Sequence, residues 1–593
     1  MNFRHSVCLA AVLAAFASES RPAAACGGTF CDGAPQAMPV DQTGENVLFV
    51  MDGETVEAHV QIQYTGDPMR FAWVVPMPAV PTVEVGSQLL FQNLLGGTVP
   101  SFNLSTQRDF CGLAGAGGSL NLGAGGTSSS GGGAGGGPGG PSVVFKATVG
   151  AFEVTVLQGG TADEVSSWLS DNQYQSIPSA PAILADYVAQ NFVFVAIKLT
   201  AGAGVDEIHP LVFRYTGNEP CVPLKLTAVA AQEDMGVRVF FLGDDRMYPT
   251  NYKHVELNPA RLDWTTRGTN YNNVITRAVD SPIADGHAFV TEYAGATSTV
   301  SPFGIFSAGW DASRFETLAP ERVIDELTTQ GLGFCQAQFQ CQFAHPLLLP
   351  LLQEYLPAPQ GMDEVDFYSC LSCYVDQIDT TAWDAAAFAA AFDDRIVKPG
   401  AHAQDLLDTW PYLTRMFTTI SPSEMTEDPL FHARPDLNDF VTTSFSSTQR
   451  ITCCGDSAMT LPDTREIALP AAGSWPPFSS LMPYAEKIVE VPLSGPVVTL
   501  VDNTAQIDEQ IMLWNAEQGW PAVCSSSGGA GSVGSGGQGG TRNVIYGDDI
   551  VYPAGNSDGC GCSVPRGGSA FGGYLTLAAA AVNLIRRRHR RRT

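Results

Sequence analysis

Positive charge is scarce in this chain. Its 593 residues contain 31 Lys and Arg against 60 Asp and Glu, which gives a formal net charge of −29 at pH 7. Such a surface repels phosphate backbones, which argues against nucleic acid as a partner. The acidity is typical of a solvated exterior. Calcium binding is the alternative, but no Asp-x-Asp-x-Asp-Gly loop is present.

Compact catalytic motifs are also missing. The chain has no His-Glu-x-x-His helix for zinc and no Gly-x-x-x-x-Gly-Lys-Ser loop for phosphates. We therefore predict no catalytic, cofactor-binding or metal-ligating residue, and no cofactor. Pairs such as Asp244-Asp245 give no indication of a shared cleft. Several single histidines are predicted to be surface or core residues, namely His209, His254, His287, His345, His402 and His432.

The N-terminal residues have the composition of a secretory signal peptide. An apolar run from Val7 to Phe16 follows Arg4, and three alanines ending at Ala25 precede Cys26. This order predicts a signal peptide over residues 1–25, cleavage after Ala25, and export. Cys26 at the new N-terminus leaves a second possibility open, which is lipid attachment.

No long hydrophobic run marks a secure membrane span, and the C-terminal run 570–585 has only sixteen residues. As a helix it reaches about 24 Å, short of a hydrocarbon core of about 30 Å. It follows Cys560 and Cys562 and precedes an arginine block. This tail, 560–593, resembles the MYXO-CTERM sorting signal. The resemblance implies that a sorting protease acts near Cys560 or Cys562 and that the protein stays on the cell surface. The alternative is an ordinary membrane anchor.

Strand patterns dominate the chain up to residue 310. The segment 47–81 predicts three strands with a turn at Asp52-Gly53, and Thr161 with Glu164 predicts a helix capping box. Further strands are predicted at 143–149, 152–157, 192–199, 211–215, 224–230 and 237–242. We expect an α+β fold with a β-rich, mainly antiparallel domain at 26–310.

The remaining chain is predicted to be more helical and to contain cysteines, over residues 311–524. Helical spacing is predicted at 320–330, 347–356, 383–392 and 404–417, and β-like pieces at 487–500 and 507–514. Gly-rich composition predicts a flexible insert at about 112–142 and a linker at 525–559.

Cysteines in an exported chain are expected to form disulfides. The disulfide candidates are Cys26, Cys31, Cys335, Cys341, Cys370, Cys373, Cys453 and Cys454. The group from Cys335 to Cys373 leaves zinc binding or thiol exchange open as alternatives.

Several segments resemble a bacterial family catalogued as domain of unknown function 2330. The resemblance rests on CGGTFC, PVDQTGE, AHVQIQYTGDP and FAWVVPMP near the N-terminus, and later on FVFVAIKL, VPLKLTAVAA and PYLTRMFTTISPSEMTEDPLF. It covers most of residues 26–470 and implies no particular reaction.

These features predict an exported, cell-surface-anchored protein of unknown biochemical activity, with a non-enzymatic structural or interaction role in the envelope. The expected partners are the membrane, through the C-terminal tail or a lipid, the sorting protease, and an unidentified protein or glycan. The alternative is a surface hydrolase whose catalytic residues are dispersed in the sequence.

Overall fold

The computed structural model describes most of the chain between residues 41 and 521. The described ranges are 41–65, 71–109, 141–174, 180–200, 203–229, 231–334, 341–453 and 455–521. They belong to one compact unit, Met1–Cys524. The predicted signal peptide, linker and sorting tail lie outside these ranges, as do most of the Gly-rich insert and residues Ala25, Cys26, Cys31, Cys335, Cys454, Cys560 and Cys562. None of the described helices combines the length and apolar character that a membrane crossing requires.

Strands and helices both contribute to the fold. The strands are β1 (Asp41–Asp52), β2 (Thr55–Thr65), β3 (Ala72–Met77), β4 (Thr82–Val85), β5 (Ser101–Arg108), β6 (Ser142–Val149), β7 (Phe152–Gln158), β8 (Val193–Leu199), β9 (Leu211–Thr216), β10 (Ala231–Gly243), β11 (Met247–Pro249), β12 (Lys253–Leu257), β13 (Ala288–Ala296), β14 (Gly333–Phe334), β15 (Gln342–Phe343), β16 (Tyr412–Ile420), β17 (Phe431–Ala433), β18 (Ser444–Ile451), β19 (Ser457–Thr460), β20 (Glu466–Leu469), β21 (Ala485–Glu490) and β22 (Val498–Asp502). The helices are α1 (Gln88–Thr98), α2 (Ala162–Asp171), α3 (Ala180–Ala189), α4 (Leu224–Thr227), α5 (Tyr271–Val279), α6 (Val323–Thr329), α7 (Leu348–Tyr355), α8 (Glu364–Ser369), α9 (Ala385–Phe392), α10 (Lys398–Thr409) and α11 (Thr504–Glu517).

A ten-stranded sheet organises the described chain. Its strand order is β22-β21-β12-β13-β16-β10-β1-β2-β9-β4. Most neighbours are antiparallel, whereas β1 pairs with β10 and β12 with β13 in parallel. Strands β1 and β2 form the predicted hairpin, in which Asp52 faces Thr55 and Gly53 has a φ of 61°, as primed hairpin turns require. The predicted α+β class is confirmed.

Both faces of the large sheet are covered, which explains why β1 is apolar at successive positions. Val47 and Phe49 pack towards the sheet β3-β8-β7-β6, in a core that contains Trp73 and Val154. Leu48 and Val50, on the other face, pack in a core that includes residues of α1 and α10. Helices α2 and α3 cover the outer face of the four-stranded sheet. The order is therefore helices, large sheet, small sheet, helices.

Further cores complete the described chain, and two of them involve the helices after α5 and a third sheet. Helices α6 to α9 bury their apolar residues mainly among themselves, around Phe315 and Phe388. A third sheet, β20-β19-β18-β5, packs against α11 and Trp264. Strand β16 lies between β10 and β13 in the large sheet, and its Met416 and Ile420 pack in the same core as Val47 and Phe49.

Three local predictions were wrong. Residues 224–230 were predicted as a strand but contain helix α4. The apolar residues alternate as in a strand because Leu224 and Leu226 pack in two different cores. The helix predicted over 404–417 ends at Thr409, before Pro411, and β16 follows it; β16 is buried on both faces and shows no alternation. Residues 507–514 lie in α11.

Candidate metal centre

Strand β2 presents two chemically active side chains on one face of the large sheet. Side chains alternate along a strand, and Val56, Ala58 and Val60 point into the core between the sheets. Glu57 and His59 therefore point to the opposite face, towards the layer that contains α10. The His59 side chain is only 1% exposed and that of Glu57 is 12% exposed.

Helix α10 brings a second imidazole to this pair. It packs on the sheet through Ala403 and Leu406, which places the neighbouring His402 beside β2. His402 Nε2 lies 2.5 Å from Glu57 Oε1, and His59 Nε2 lies 2.6 Å from the same oxygen. The two rings are stacked, with centroids 5.8 Å apart and an interplanar angle of 8°.

Arg214 on β9 holds the other oxygen of the carboxylate. Its Nε donates to Glu57 Oε2 at 2.6 Å, and its Nη1 lies 2.6 Å from Oε2 of Glu84 on β4. Residue Glu57 faces Arg214 directly in the register of β2 with β9. The pairing of strands therefore orients the carboxylate and leaves Oε1 directed at the two histidines.

Charge and burial decide which groups are ionised. Burial alone would raise the pKa of Glu57, but its hydrogen bonds with His402 and His59 hold it well below its usual range. Burial lowers the pKa of His59, although its contact with Glu57 works in the opposite direction. Burial also opposes the charge of Arg214, yet its bonds to Glu84 and Glu57 raise its pKa. Glu57 is thus a carboxylate and His59 is held towards the neutral form, which are the forms that bind metals.

The hydrogen bonds at His402 conflict with each other. Arg214 Nη2 lies 3.0 Å from His402 Nε2 and can donate to it only if that nitrogen is unprotonated. Glu57 Oε1 can accept from the same nitrogen only if it is protonated. One protonation state cannot satisfy both contacts. A cation between Oε1 and the two nitrogens would use all three lone pairs and leave Arg214 bonded to Oε2.

The donor set fits a transition-metal ion such as Zn²⁺. Two imidazoles and a carboxylate are typical ligands of zinc, and the three candidate ligand atoms lie within 4.8 Å of one another. Ligand atoms around tetrahedral Zn²⁺ are about 3.3 Å apart, so Oε1 needs to move away from each nitrogen by less than about 1 Å. The two nitrogens, which lie within 4.8 Å of each other, need to approach by at most about 1.5 Å. This is within the range of a side-chain rotation.

A cavity of about 530 Å³ opens beside the cluster. Arg214 and His402 lie in its wall, together with Lys398 of α10, Thr148 of β6 and Gly150 at the turn after β6. A fourth ligand of the ion, such as water or a substrate group, can therefore approach from this side.

The other histidines of the described ranges make separate local contacts. Their partners are Ala151 and Pro210 for His209, Thr291 for His254, Asp285 and Thr426 for His287, Leu347 for His345, and Thr250 for His432. Asp244 and Asp245 line a different cavity, which also contains His432. His402, predicted to be a surface or core residue, lies in the cluster with Glu57 and His59. The Glu-x-His spacing on β2 was the available signal, because it places both side chains on one face.

The structure places Cys370 and Cys373 in a disulfide. Cys341 and Cys453 are also disulfide-bonded. These thiols are therefore not available as thiolate ligands for zinc.

The fold and site define an α+β protein with a carboxylate–imidazole cluster between a sheet and a helix. The chain belongs to the family described as an uncharacterized protein conserved in bacteria (DUF2330), whose model matches residues 21–431. This confirms the predicted family, and Glu57, His59 and His402 all lie in the matched range. No curated protein matches the sequence. A crystal structure of a mutated baculovirus P35 after caspase cleavage is similar over 36% of this chain and 70% of that chain, at 12% identity and a TM-score of 0.21. A similarity this low carries no conclusion about fold or activity.

Proposed function

We propose that this chain is an exported, cell-surface-anchored protein that binds a transition-metal ion, Zn²⁺ in the first instance, through Glu57, His59 and His402. The convergence of three lone pairs at the cluster, with the conflict at His402, carries the metal assignment. Its role in the envelope is to support structure or to bind a partner, and the metal ion stabilises the packing of α10 on the sheet.

The sequence ends support the location. The signal-peptide composition of residues 1–25 and the sorting-like tail imply export, proteolysis near Cys560 or Cys562, and retention at the surface. The Cys370–Cys373 disulfide supports export as well, because disulfides persist in oxidising compartments. Peptide mass spectrometry of the protein from its native envelope tests this location. An N-terminus at Cys26 and an end near Cys560 support it, whereas an intact arginine tail contradicts it.

Metal content tests the proposed site. The full chain, purified and dialysed against Zn²⁺-containing buffer and then metal-free buffer, is expected to retain about one zinc per chain in elemental analysis. Glu57→Gln and His402→Gln each remove a ligand and are expected to lower retention by at least about tenfold.

His432→Gln is the matched control, because this partly buried histidine bonds to Thr250 and lies outside the cluster. It is expected to keep the zinc. Equal zinc content in all variants, or none in the unaltered chain, contradicts the site and leaves a proton-sharing cluster only. Circular dichroism of each variant distinguishes loss of a ligand from loss of the fold.

A second candidate function is metal-dependent hydrolysis at the surface. The cavity beside the cluster favours it, because His402 and Arg214 lie in the cavity wall and give an incoming group access to the ion. A panel of nitrophenyl esters, phosphates and glycosides tests this possibility. Turnover that stops on chelation and is lost in His402→Gln supports hydrolysis, and absence of chelator-sensitive turnover over the whole panel contradicts it.

A further inference from the structure

Another cavity lies between the large sheet and the third sheet, away from the cluster of Glu57, His59 and His402. Its volume is about 550 Å³. Much of its wall is aromatic and comes from several elements of the fold, with the rings of Phe102, Tyr248, Trp264, Tyr271, Phe440 and Phe445. A pocket of this size and composition is suited to a flat apolar molecule.

Every carboxylate in the cavity wall already has a partner. Glu292 pairs with Arg415 at 2.6 Å, and Glu256 lies 3.9 Å from Lys487. Arg465 pairs with both Asp463 and Glu486 at 2.8 Å, and the Tyr412 hydroxyl donates to Asp439 at 2.8 Å. These acids therefore do not need a ligand cation.

Arg246 is different. It lines the same cavity, is 8% exposed, and forms no ion pair with any carboxylate of the described ranges. Its Nη2 donates to the Tyr248 hydroxyl at 2.8 Å and its Nη1 donates to the Asn438 carbonyl, while Nε is buried without a partner. The cation also lies over the Tyr248 ring, with Cζ 4.8 Å from the ring centroid. Burying a cation is costly when no carboxylate pairs with it.

We propose that this cavity binds an organic monocarboxylate with a flat apolar body, and that Arg246 holds the carboxylate. The guanidinium matches a carboxylate in shape and charge, and the aromatic wall covers the rest of the ligand. The acidic groups around the wall disfavour ligands that carry several negative charges. The proposal is independent of the metal cluster.

Fluorescence of the full chain tests the proposal, since Trp264 lies in the wall and reports on an aromatic ligand. The probe is 2-naphthoate and the neutral comparison is 2-naphthamide, which has nearly the same shape. We expect saturable binding of 2-naphthoate, at least about tenfold tighter than that of 2-naphthamide, because only the former pairs with Arg246. Equal affinities, or no saturation up to about 5 mM, overturn the proposal.

Two variants separate charge from shape. Arg246→Met keeps an unbranched apolar stem, removes the charge, and is expected to abolish the preference for 2-naphthoate. Phe440→Ala, at a partly exposed ring of the wall, is expected to weaken both probes by a similar factor and keep the preference. Arg450→Met, which removes an exposed arginine that pairs with Asp109, is the control and should change neither affinity. A preference that survives Arg246→Met overturns the assignment. Should that variant not fold, the comparison of the two probes on the unaltered chain decides alone.

Discussion

His59 and His402 stack ring on ring across the boundary between the large sheet and α10, with both Nε2 atoms within 2.6 Å of Glu57 Oε1. One histidine belongs to a strand and the other to a helix. An ion bound between them would therefore join two layers of the fold, and removing it should lower the free energy of unfolding as well as the metal content.

The first prediction concerns this stabilisation. A ligand that binds only the folded state at about 100 times its dissociation constant adds about 2.7 kcal/mol to the free energy of unfolding. Zn²⁺ should therefore raise the Tm of the full chain, and a chelator should reverse the increase. Differential scanning calorimetry measures both. His432→Gln should respond like the unaltered chain, and a similar response from His402→Gln would contradict the site.

The second prediction concerns Arg415 and Glu292, a buried ion pair on neighbouring strands β16 and β13. Their side chains are 2% and 1% exposed, and Tyr271 also donates to Glu292 at 3.0 Å. Arg415→Met leaves a buried carboxylate without its cation and should lower the free energy of unfolding by about 3–5 kcal/mol. Urea denaturation measures the change.

The double variant Arg415→Met with Glu292→Leu is the informative comparison. Replacing both members of a buried pair by apolar groups costs little, so the double variant should be more stable than Arg415→Met alone. If the double variant is less stable, the hydrogen bond of Tyr271 to the charged Glu292 contributes more to stability than apolar packing can replace.

Local structure was predictable where the signal lies within a few residues. The Asp52-Gly53 turn and the capping box of Thr161 and Glu164 were confirmed, because each depends on contacts between near neighbours in sequence. Helix α4 was mistaken for a strand because its apolar pattern serves two cores. The cluster of Glu57, His59 and His402 could not be predicted, for a different reason. Strand β2 supplies Glu57 and His59, but only the packing of α10 on the sheet shows that His402 is their partner.

The third prediction concerns the capping box of α2. Thr161 accepts from the Glu164 N–H at 3.3 Å, and Glu164 accepts from the Thr161 N–H at 2.7 Å. Thr161→Ala removes one side of this exchange and should cost about 1 kcal/mol in urea denaturation. Ser170→Ala, at an exposed position in the last turn, should be close to neutral. Equal losses from both variants would show that the cap contributes nothing.

The fourth prediction concerns Gly150, at the turn between β6 and β7. Its φ is 58°, and an added Cβ would lie 2.0 Å from His209 Nε2. Gly159 also has a positive φ, of 76°, but a Cβ there has nothing within 4 Å. Gly159→Ala therefore meets only backbone strain, whereas Gly150→Ala also forces the buried ring to move. We expect Gly150→Ala to lower the free energy of unfolding by about 1–3 kcal/mol more than Gly159→Ala does. Urea denaturation measures both losses, and equal losses would contradict the packing of Gly150 against His209.

The last prediction is a pH dependence caused by His209. Its Nδ1 lies 2.9 Å from the Pro210 carbonyl and its Nε2 accepts from the Ala151 N–H at 3.1 Å, so the buried ring is neutral. Burial lowers its pKa to about 4, and the charge of Arg395 acts in the same direction. The unfolded chain, with a histidine pKa of about 6.5, binds a proton at a higher pH than the folded chain does.

This difference in pKa determines how the free energy of unfolding changes with pH. The contribution of His209 is complete above the unfolded pKa and is lost as the pH falls towards the folded pKa, because protons then favour the unfolded chain. Between pH 7.5 and pH 5 the loss is about 2 kcal/mol. His209→Gln should therefore show a smaller decrease in the free energy of unfolding over this interval. His254 and His345 are also buried with lowered pKa values, but they contribute equally to both proteins and cancel in the comparison. Urea denaturation at the two pH values measures the difference, and parallel decreases in the two proteins would mean that His209 is protonated in the folded state.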